Sequence, residues 1–273
     1  MSHWTLDDIP WSEFDPSKID PDVVKVIKTA ALVERNGADY GRYLVNVFAD
    51  DPAFCDAALA WAAEEEQHGE ALGRWAELAD PSFKLQDAFA RFTDLYRIPV
   101  DSTESVRGSR AGELCARCVV ETGTSSFYSA IRDAVDEPVL RAICKRIAAD
   151  EFRHYKLFSE HMNRYQAREN LTTWQRLKVV LTRFRETSDD ELSSAYHAAN
   201  PDGGAYDCRR ANAAYGARAM GFYHRKHVRR AGHMMSQAAG LTPNGWATRA
   251  LTNVLWWMIA LRGRRFRPQF ANA

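Results

Sequence analysis

Ala58-Leu59-Ala60-Trp61-Ala62-Ala63-Glu64-Glu65-Glu66-Gln67-His68-Gly69-Glu70-Ala71-Leu72-Gly73-Arg74-Trp75 is an apolar helical stripe with charge set inside it. Ala58, Trp61, Glu65, His68, Leu72 and Trp75 recur every three or four residues, the period of one helix face. A face that is otherwise apolar turns toward a core, so it carries Glu65 and His68 inward. The pattern returns in Leu140, Cys144, Ile147, Glu151, His154 and Phe158, again with Glu-x-x-His in its middle. Each stripe has a lone glutamate upstream on a further apolar face. Glu34 interrupts Ile27, Ala30, Ala31, Ala38, Gly41 and Val45, and Glu121 sits with Leu114, Cys118, Ser125 and Tyr128. Glu34 and Glu121 are 87 residues apart, while Glu65 to Glu151 and His68 to His154 are 86 each. The chain reads as a helix pair repeated once, the two pairs related by a pseudo-twofold.

Acid-proline pairs at Asp20-Pro21, Asp51-Pro52, Asp80-Pro81 and Glu137-Pro138 mark helix starts. Proline fits the first turn, and an acid before it complements the N-terminal dipole. Long helices are predicted over 21–49, 52–79, 106–134 and 138–168, with a shorter one over 83–97. Three more follow over 172–186, 206–238 and 246–262, and hairpin signals are absent. The expected class is all-α: a four-helix bundle over 1–168 with a helical extension over 169–273 packed on it.

Of 273 residues, 46% are hydrophobic and 26% charged, which excludes a disordered or collagen-like chain. Thirty-six basic and thirty-six acidic residues balance, but not evenly along the chain. Residues 205–273 carry +11 and residues 1–204 carry −11. Cysteines at 55, 115, 118, 144 and 208 are odd in number and irregularly spaced, as expected of reduced thiols. The opening residues lack a signal-peptide pattern, and no apolar run reaches the roughly 18 residues of a spanning helix. A soluble cytoplasmic protein is expected, peripheral to a membrane at most.

Four carboxylates on core-facing stripes are untenable without cations. No Lys or Arg falls on those stripes to pair them, so metal is the expected source of positive charge. Two divalent ions match four carboxylates, and Glu-x-x-His places both ligands about one turn apart on one face. Mixed oxygen and nitrogen donors suit iron or manganese better than zinc. Two iron ions are expected, with a manganese–iron pair as the variant.

One glutamate from each of two helices and Glu-x-x-His from the other two resembles the ligand set of ferritin-like di-iron carboxylate proteins, over residues 21–165. The resemblance implies a ferritin-like four-helix bundle in which Glu34, Glu65 and His68 hold one metal and Glu121, Glu151 and His154 the other. Glu65 and Glu151 would bridge. It also implies an oxidoreductase in which two ferrous ions deliver electrons jointly to O2, making an oxidant that attacks unactivated C–H bonds. Rubrerythrin-type peroxidases carry a further carboxylate on the third helix and usually a rubredoxin module with two Cys-x-x-Cys pairs. Here Thr124 follows Glu121 by three residues, and Cys115-Ala116-Arg117-Cys118 is the only such pair, placed mid-helix where it reads as helical spacing. Glu121-Thr122-Gly123-Thr124 is similar to the Glu-x-x-Thr of soluble acyl-carrier-protein desaturases, whose threonine lies near the oxygen site. The ligand spacing is also close to that of aldehyde-deformylating oxygenases, which lack the threonine. The resemblance therefore implies an oxygenase or desaturase acting on a lipid-like or carrier-bound organic substrate. It would use O2 and an external electron donor, with Thr124 as the expected catalytic donor. A rubrerythrin- or ferritin-like peroxide-reducing or iron-handling protein shares the same six ligands, as does a tRNA-modifying di-iron hydroxylase.

In the +11 segment Arg225, Lys226, Arg229 and Arg230 are the densest cluster. The segment either packs on the acidic body or docks an acidic partner: acyl carrier protein, an anionic membrane surface or RNA. His224 and His227 read as surface residues, since no acid or cysteine accompanies them. The apolar run 250–261, followed by arginines, is too short to span a bilayer. It is expected at a membrane interface, or packed as core or homodimer surface.

Overall fold

A computed structural model describes residues 3–186 and 190–263. Every regular element among them is helical, with no strand. Three short 3-10 turns (Leu6–Asp8, Trp11–Glu13, Pro16–Lys18) precede α1 (Pro21–Arg35), α2 (Gly37–Val47), α3 (Pro52–Ala79), α4 (Leu85–Leu95), α5 (Arg110–Ala134) and α6 (Pro138–Glu169). Then come α7 (Thr173–Glu186), α8 (Glu191–Ala199), α9 (Cys208–Ala219), a 3-10 turn (Met220–Phe222), α10 (Arg225–Ala238) and α11 (Trp246–Gly263).

Three of the four acid-proline pairs start helices. Asp20 accepts from the Asp22 and Val23 amides, Asp51 from Phe54, and Glu137 from Val139 and Leu140. Such side-chain oxygens satisfy amides that the helix itself leaves open. Asp80 instead follows the end of α3, where it pairs with the buried Lys28 ammonium and accepts from Ser82, and α4 begins only at Leu85.

The single helix expected over 21–49 is broken at Asn36, directly after the turn that carries Glu34. The cause is close packing of α1 and α2 on α3. A Cβ on Gly37 would lie 2.5 Å from Glu65 Cβ, and one on Gly69 would lie 2.5 Å from the Arg35 amide nitrogen and 2.9 Å from the Ala31 oxygen. Only glycine permits backbone to approach backbone this way. The helix expected from 106 starts at Arg110, because Gly108 takes φ +77° and Ser109 caps it by accepting from the Gly112 amide. The helix expected over 206–238 is split by the 3-10 turn and an extended His224, and α8 lies where none was expected.

Adjacent long helices run antiparallel. Lys28 meets Asp80 while Arg35 meets Glu70 across α1 and α3. Ser125 bonds the Ala148 carbonyl and the Arg110 amide bonds Glu169 across α5 and α6. Trp75 bonds Glu137 at one end of the α3–α6 contact, and Tyr165 bonds Asp51 at the other. Two apolar clusters fill the interior. One gathers Ile27, Leu32, Leu72, Trp75 and Ile147 with Ala198 and Phe222; the other gathers Leu44, Phe54, Leu114 and Phe158 with Val179 and Met234. Both are closed by residues beyond 168, so the C-terminal helices share the core of the first six.

The cationic segment is partly neutralised within the chain. Arg218 pairs with Asp22 at 2.7 Å, Lys226 pairs with Asp133 at 2.6 Å, and Arg230 lies over the Phe152 ring. Arg225, Lys226, Arg229 and Arg230 are all exposed. His227 is not the surface residue expected. It is buried, accepts from the His224 amide at 3.0 Å, and reaches Asp133 at 3.0 Å, so an acid does accompany it. Helix α11 buries Thr248, Thr252 and Ile259 but turns Leu251, Val254, Trp257, Met258 and Leu261 outward. No helix among the described residues is long and apolar enough to cross a membrane.

Candidate metal centre

Four helices deliver the six residues of the repeat to one buried place: Glu34 from α1, Glu65 and His68 from α3, Glu121 from α5, and Glu151 and His154 from α6. None is more than 6% exposed. Their donor atoms form two overlapping groups, each within 4.8 Å internally: Glu34, Glu65, His68 and Glu151, and Glu65, Glu121, Glu151 and His154. Glu65 and Glu151 belong to both. His68 Nδ1 stands 3.3 Å from Glu151, 3.5 Å from Glu65 and 3.9 Å from Glu34. His154 Nδ1 stands 3.0 Å from Glu65 and 3.6 Å from Glu121.

Whether these groups fit a metal is decided by the atoms left over. Glu65 Oε1, His68 Nδ1, both Glu121 oxygens, Glu151 Oε1 and His154 Nδ1 are buried without a hydrogen-bond partner. Buried polar atoms are nearly always satisfied, and these six are left without partners beside one another. Four oxygens and two imidazole nitrogens gathered in two overlapping groups are a donor set that suits divalent cations. Each of the two groups could hold a metal ion.

The far nitrogen of each imidazole is held by a residue that sequence reasoning missed. His68 Nε2 meets Asp150 at 3.1 Å, and His154 Nε2 meets Glu64 at 2.7 Å. Each of these acids immediately precedes a shared glutamate, so the 86-residue repeat of Glu64-Glu65 as Asp150-Glu151 was the available signal. An acid on the outer nitrogen fixes the tautomer and aims the inner nitrogen at the cation. Trp4 adds a further layer by donating its indole N–H to Asp150 at 2.5 Å and stacking on His68. Nothing in the spacing of residue 4 announced this. Tyr128 donates to Glu34 at 2.5 Å, and Thr124, placed as expected beside the cluster, donates to Glu151.

The electrostatics are those of a site that demands positive charge. Burial, and then the Glu65 carboxylate, push Glu34 up to about 8. Burial and the charges of Glu65 and Glu34 push Glu151 up to about 7, and Glu121 rises well above the carboxylate range, chiefly by burial. Burial would also raise Glu65, but the adjoining Glu34, His154 and His68 hold it well below. Burial works against both imidazolium forms, yet the carboxylates around them raise His68 and His154 well above the usual range. Asp150, which burial alone would raise, is brought down to about 2 by His68, Arg153 and Trp4.

The expectation that no Lys or Arg falls on the core-facing stripes is corrected. Arg117, one turn before Glu121, is buried beside the cluster, as is Arg183 from α7. The stripe reading missed Arg117 because it followed only the row through Cys118. Cys115 and Cys118 are both buried; burial pushes Cys115 up to about 11 and Cys118 well above its usual value, so neither is a ready thiolate. Compared with known protein families and with curated proteins, the chain matches none.

Proposed function

We propose that this chain is a ferritin-like di-iron oxidoreductase that activates O2 to hydroxylate or desaturate an organic substrate. One observation carries the reading: the orphaned donor atoms of Glu65, His68, Glu121, Glu151 and His154 meet in two groups that share two glutamates. Glu34 and His68 would serve one iron, Glu121 and His154 the other, and Glu65 and Glu151 both. When bound, the two irons supply the electrons for O2 and the oxidising power to break a C–H bond. The chain's own residues do the rest. Asp150 and Glu64 hold the imidazoles in register, and burial keeps bulk water from the centre. The Thr124 hydroxyl, bonded to Glu151, is a proton donor that can turn from that carboxylate toward oxygen. The third-helix position occupied by a carboxylate in rubrerythrin-type peroxidases is this threonine, which favours oxygenation over peroxide reduction. On the same reading an external donor reduces the irons, and the outward apolar stripe of α11, with the exposed Arg249 on it and Arg225 bonded to its Asn253, seats the chain at an anionic membrane surface.

Anaerobic loading with ferrous iron should give about two equivalents per chain, taken up more strongly at pH 8 than at pH 6. The sign follows from Glu34 and Glu151, which hold protons near pH 6 that iron must displace and shed them toward pH 8. Admission of O2 should then consume it. No bound iron would end the proposal, and rapid peroxide turnover without substrate-dependent O2 uptake would replace it with the peroxide-reducing alternative. Asp150→Asn or Glu64→Gln should weaken iron binding by roughly 10- to 100-fold without unfolding the chain, measured by competition with a chelator. Unchanged affinity in both variants would remove these acids from the site.

A further inference from the structure

Against the carboxylate cluster lies a cavity of about 50 Å³ whose wall is shared by the cluster's glutamates and by Arg117, Arg183 and Trp61. Arg117 is 5% exposed and Arg183 is 8% exposed. The Nε atoms of both arginines are buried without a hydrogen-bond partner, as is the indole Nε1 of Trp61. A guanidinium cannot shed its proton and presents five N–H donors, so two of them buried in this state call for an acceptor. Of the nearby carboxylates, Glu121 belongs to the second donor group, where on the di-iron reading a metal takes its oxygens, and two others lie at the edge of reach or bond elsewhere. Glu113 stands 4.0 Å from Arg117 Nε, and its other oxygen takes the Tyr43 and Ser105 hydroxyls at 2.8 Å each. Glu191 takes the Tyr40 hydroxyl at 2.7 Å. The Tyr40 ring packs on the Arg117 guanidinium, 4.6 Å from its centroid, which holds that plane in place.

We infer that Arg117 and Arg183 bind the free carboxylate of an organic acid whose chain runs to the cluster. The cavity has room for a group of one or two water volumes, which suits a carboxylate head. A planar carboxylate matches the fork of an arginine with two parallel bonds. Because the same small cavity touches Glu34, Glu65, Glu121, Glu151 and Thr124, the carbons next to a head gripped there lie against the centre. A thioester on a carrier has no such charge, and would leave both guanidiniums unmatched. The substrate class narrows to free acids rather than carrier-bound acyl groups. This deepens the di-iron reading in what it says of the substrate, while the binding itself can be measured apart from it.

The experiment is calorimetric binding of hexanoate, hexanol and hexyl phosphate to the iron-loaded, anaerobic protein, with iron content measured on the same samples. Hexanoate should bind roughly tenfold or more tightly than hexanol, since a site built around buried donors rejects an analogue that leaves them unpaired. Arg117→Gln and Arg183→Gln should each bring the two ligands to near equal affinity, with iron content and hexanol binding retained. Hexanol binding as well as hexanoate in the unaltered protein overturns the inference whatever the variants do, and tighter binding of hexyl phosphate overturns the carboxylate assignment. Full hexanoate preference in both arginine variants means the acid sits on the metal instead, and also overturns it. Two irons with no carboxylate preference sinks this inference and spares the metal centre. A preference that persists without iron, and is lost in Arg117→Gln, upholds the inference where the metal reading has failed.

Discussion

Glu65→Ala or Glu151→Ala should leave the chain with almost no iron, whereas Glu34→Ala or Glu121→Ala should leave about one equivalent. The difference follows from membership. Glu65 and Glu151 stand in both donor groups, so on the proposed di-iron reading losing either would take an oxygen from each metal and expose the two cations to each other's repulsion. Glu34 and Glu121 each stand in only one group. Iron per chain after anaerobic loading and desalting measures this directly. Wild-type retention in both the Glu65 and Glu151 variants would remove the shared-ligand assignment, and equal loss in all four would mean that the ions bind only as a pair.

Gly69→Ala should be among the most damaging single-methyl changes in the protein. The new Cβ would lie 2.5 Å from the Arg35 nitrogen, 2.8 Å from its Cα and 2.9 Å from the Ala31 oxygen, all of them backbone atoms of α1. No side chain can swing aside, so α1 must move off α3 next to Glu34 and His68. Overpacking a tight core costs about 1–3 kcal/mol, and an immovable neighbour places this case at or above about 3. Gly216→Ala is the internal control: that helical glycine has nothing within 4 Å of the added atom. Alanine there should stabilise by up to about 1 kcal/mol through its better helix propensity. Denaturant midpoints of the two variants check both signs, and a Gly69→Ala midpoint equal to that of the unaltered chain would refute the close-contact reading.

What could be read in advance followed from periodicity and repetition. Glu65, His68, Glu151 and His154 were legible because an acid or imidazole inside an apolar stripe is carried into the core, where its charge must be matched. Glu34 and Glu121 were legible because the repeat offset pointed back to them. The break at Asn36 was not legible from the stripe, since it depends on how closely α1 and α2 approach α3 in space. Trp4 and Arg183 reach the site's surroundings from outside the four repeated helices, and no local period encodes such contacts. Arg117 was hidden for a different reason. It stands one turn before Glu121, on the same face, but the row was followed through Cys118 instead. His227 failed because its acid partner Asp133 is 94 positions away.

The crossing of the outer acids says something about the repeat itself. Asp150 belongs to the second helix pair yet orients His68 of the first, while Glu64 belongs to the first and orients His154 of the second. Glu65 and Glu151 are likewise donors to both groups. The halves are therefore not modules. A designer who excised residues 1–100 as a minimal metal binder would obtain an imidazole with no outer acid and a glutamate with half its purpose gone. Two such fragments could recover the arrangement only by pairing with each other, as the two halves of this chain already do.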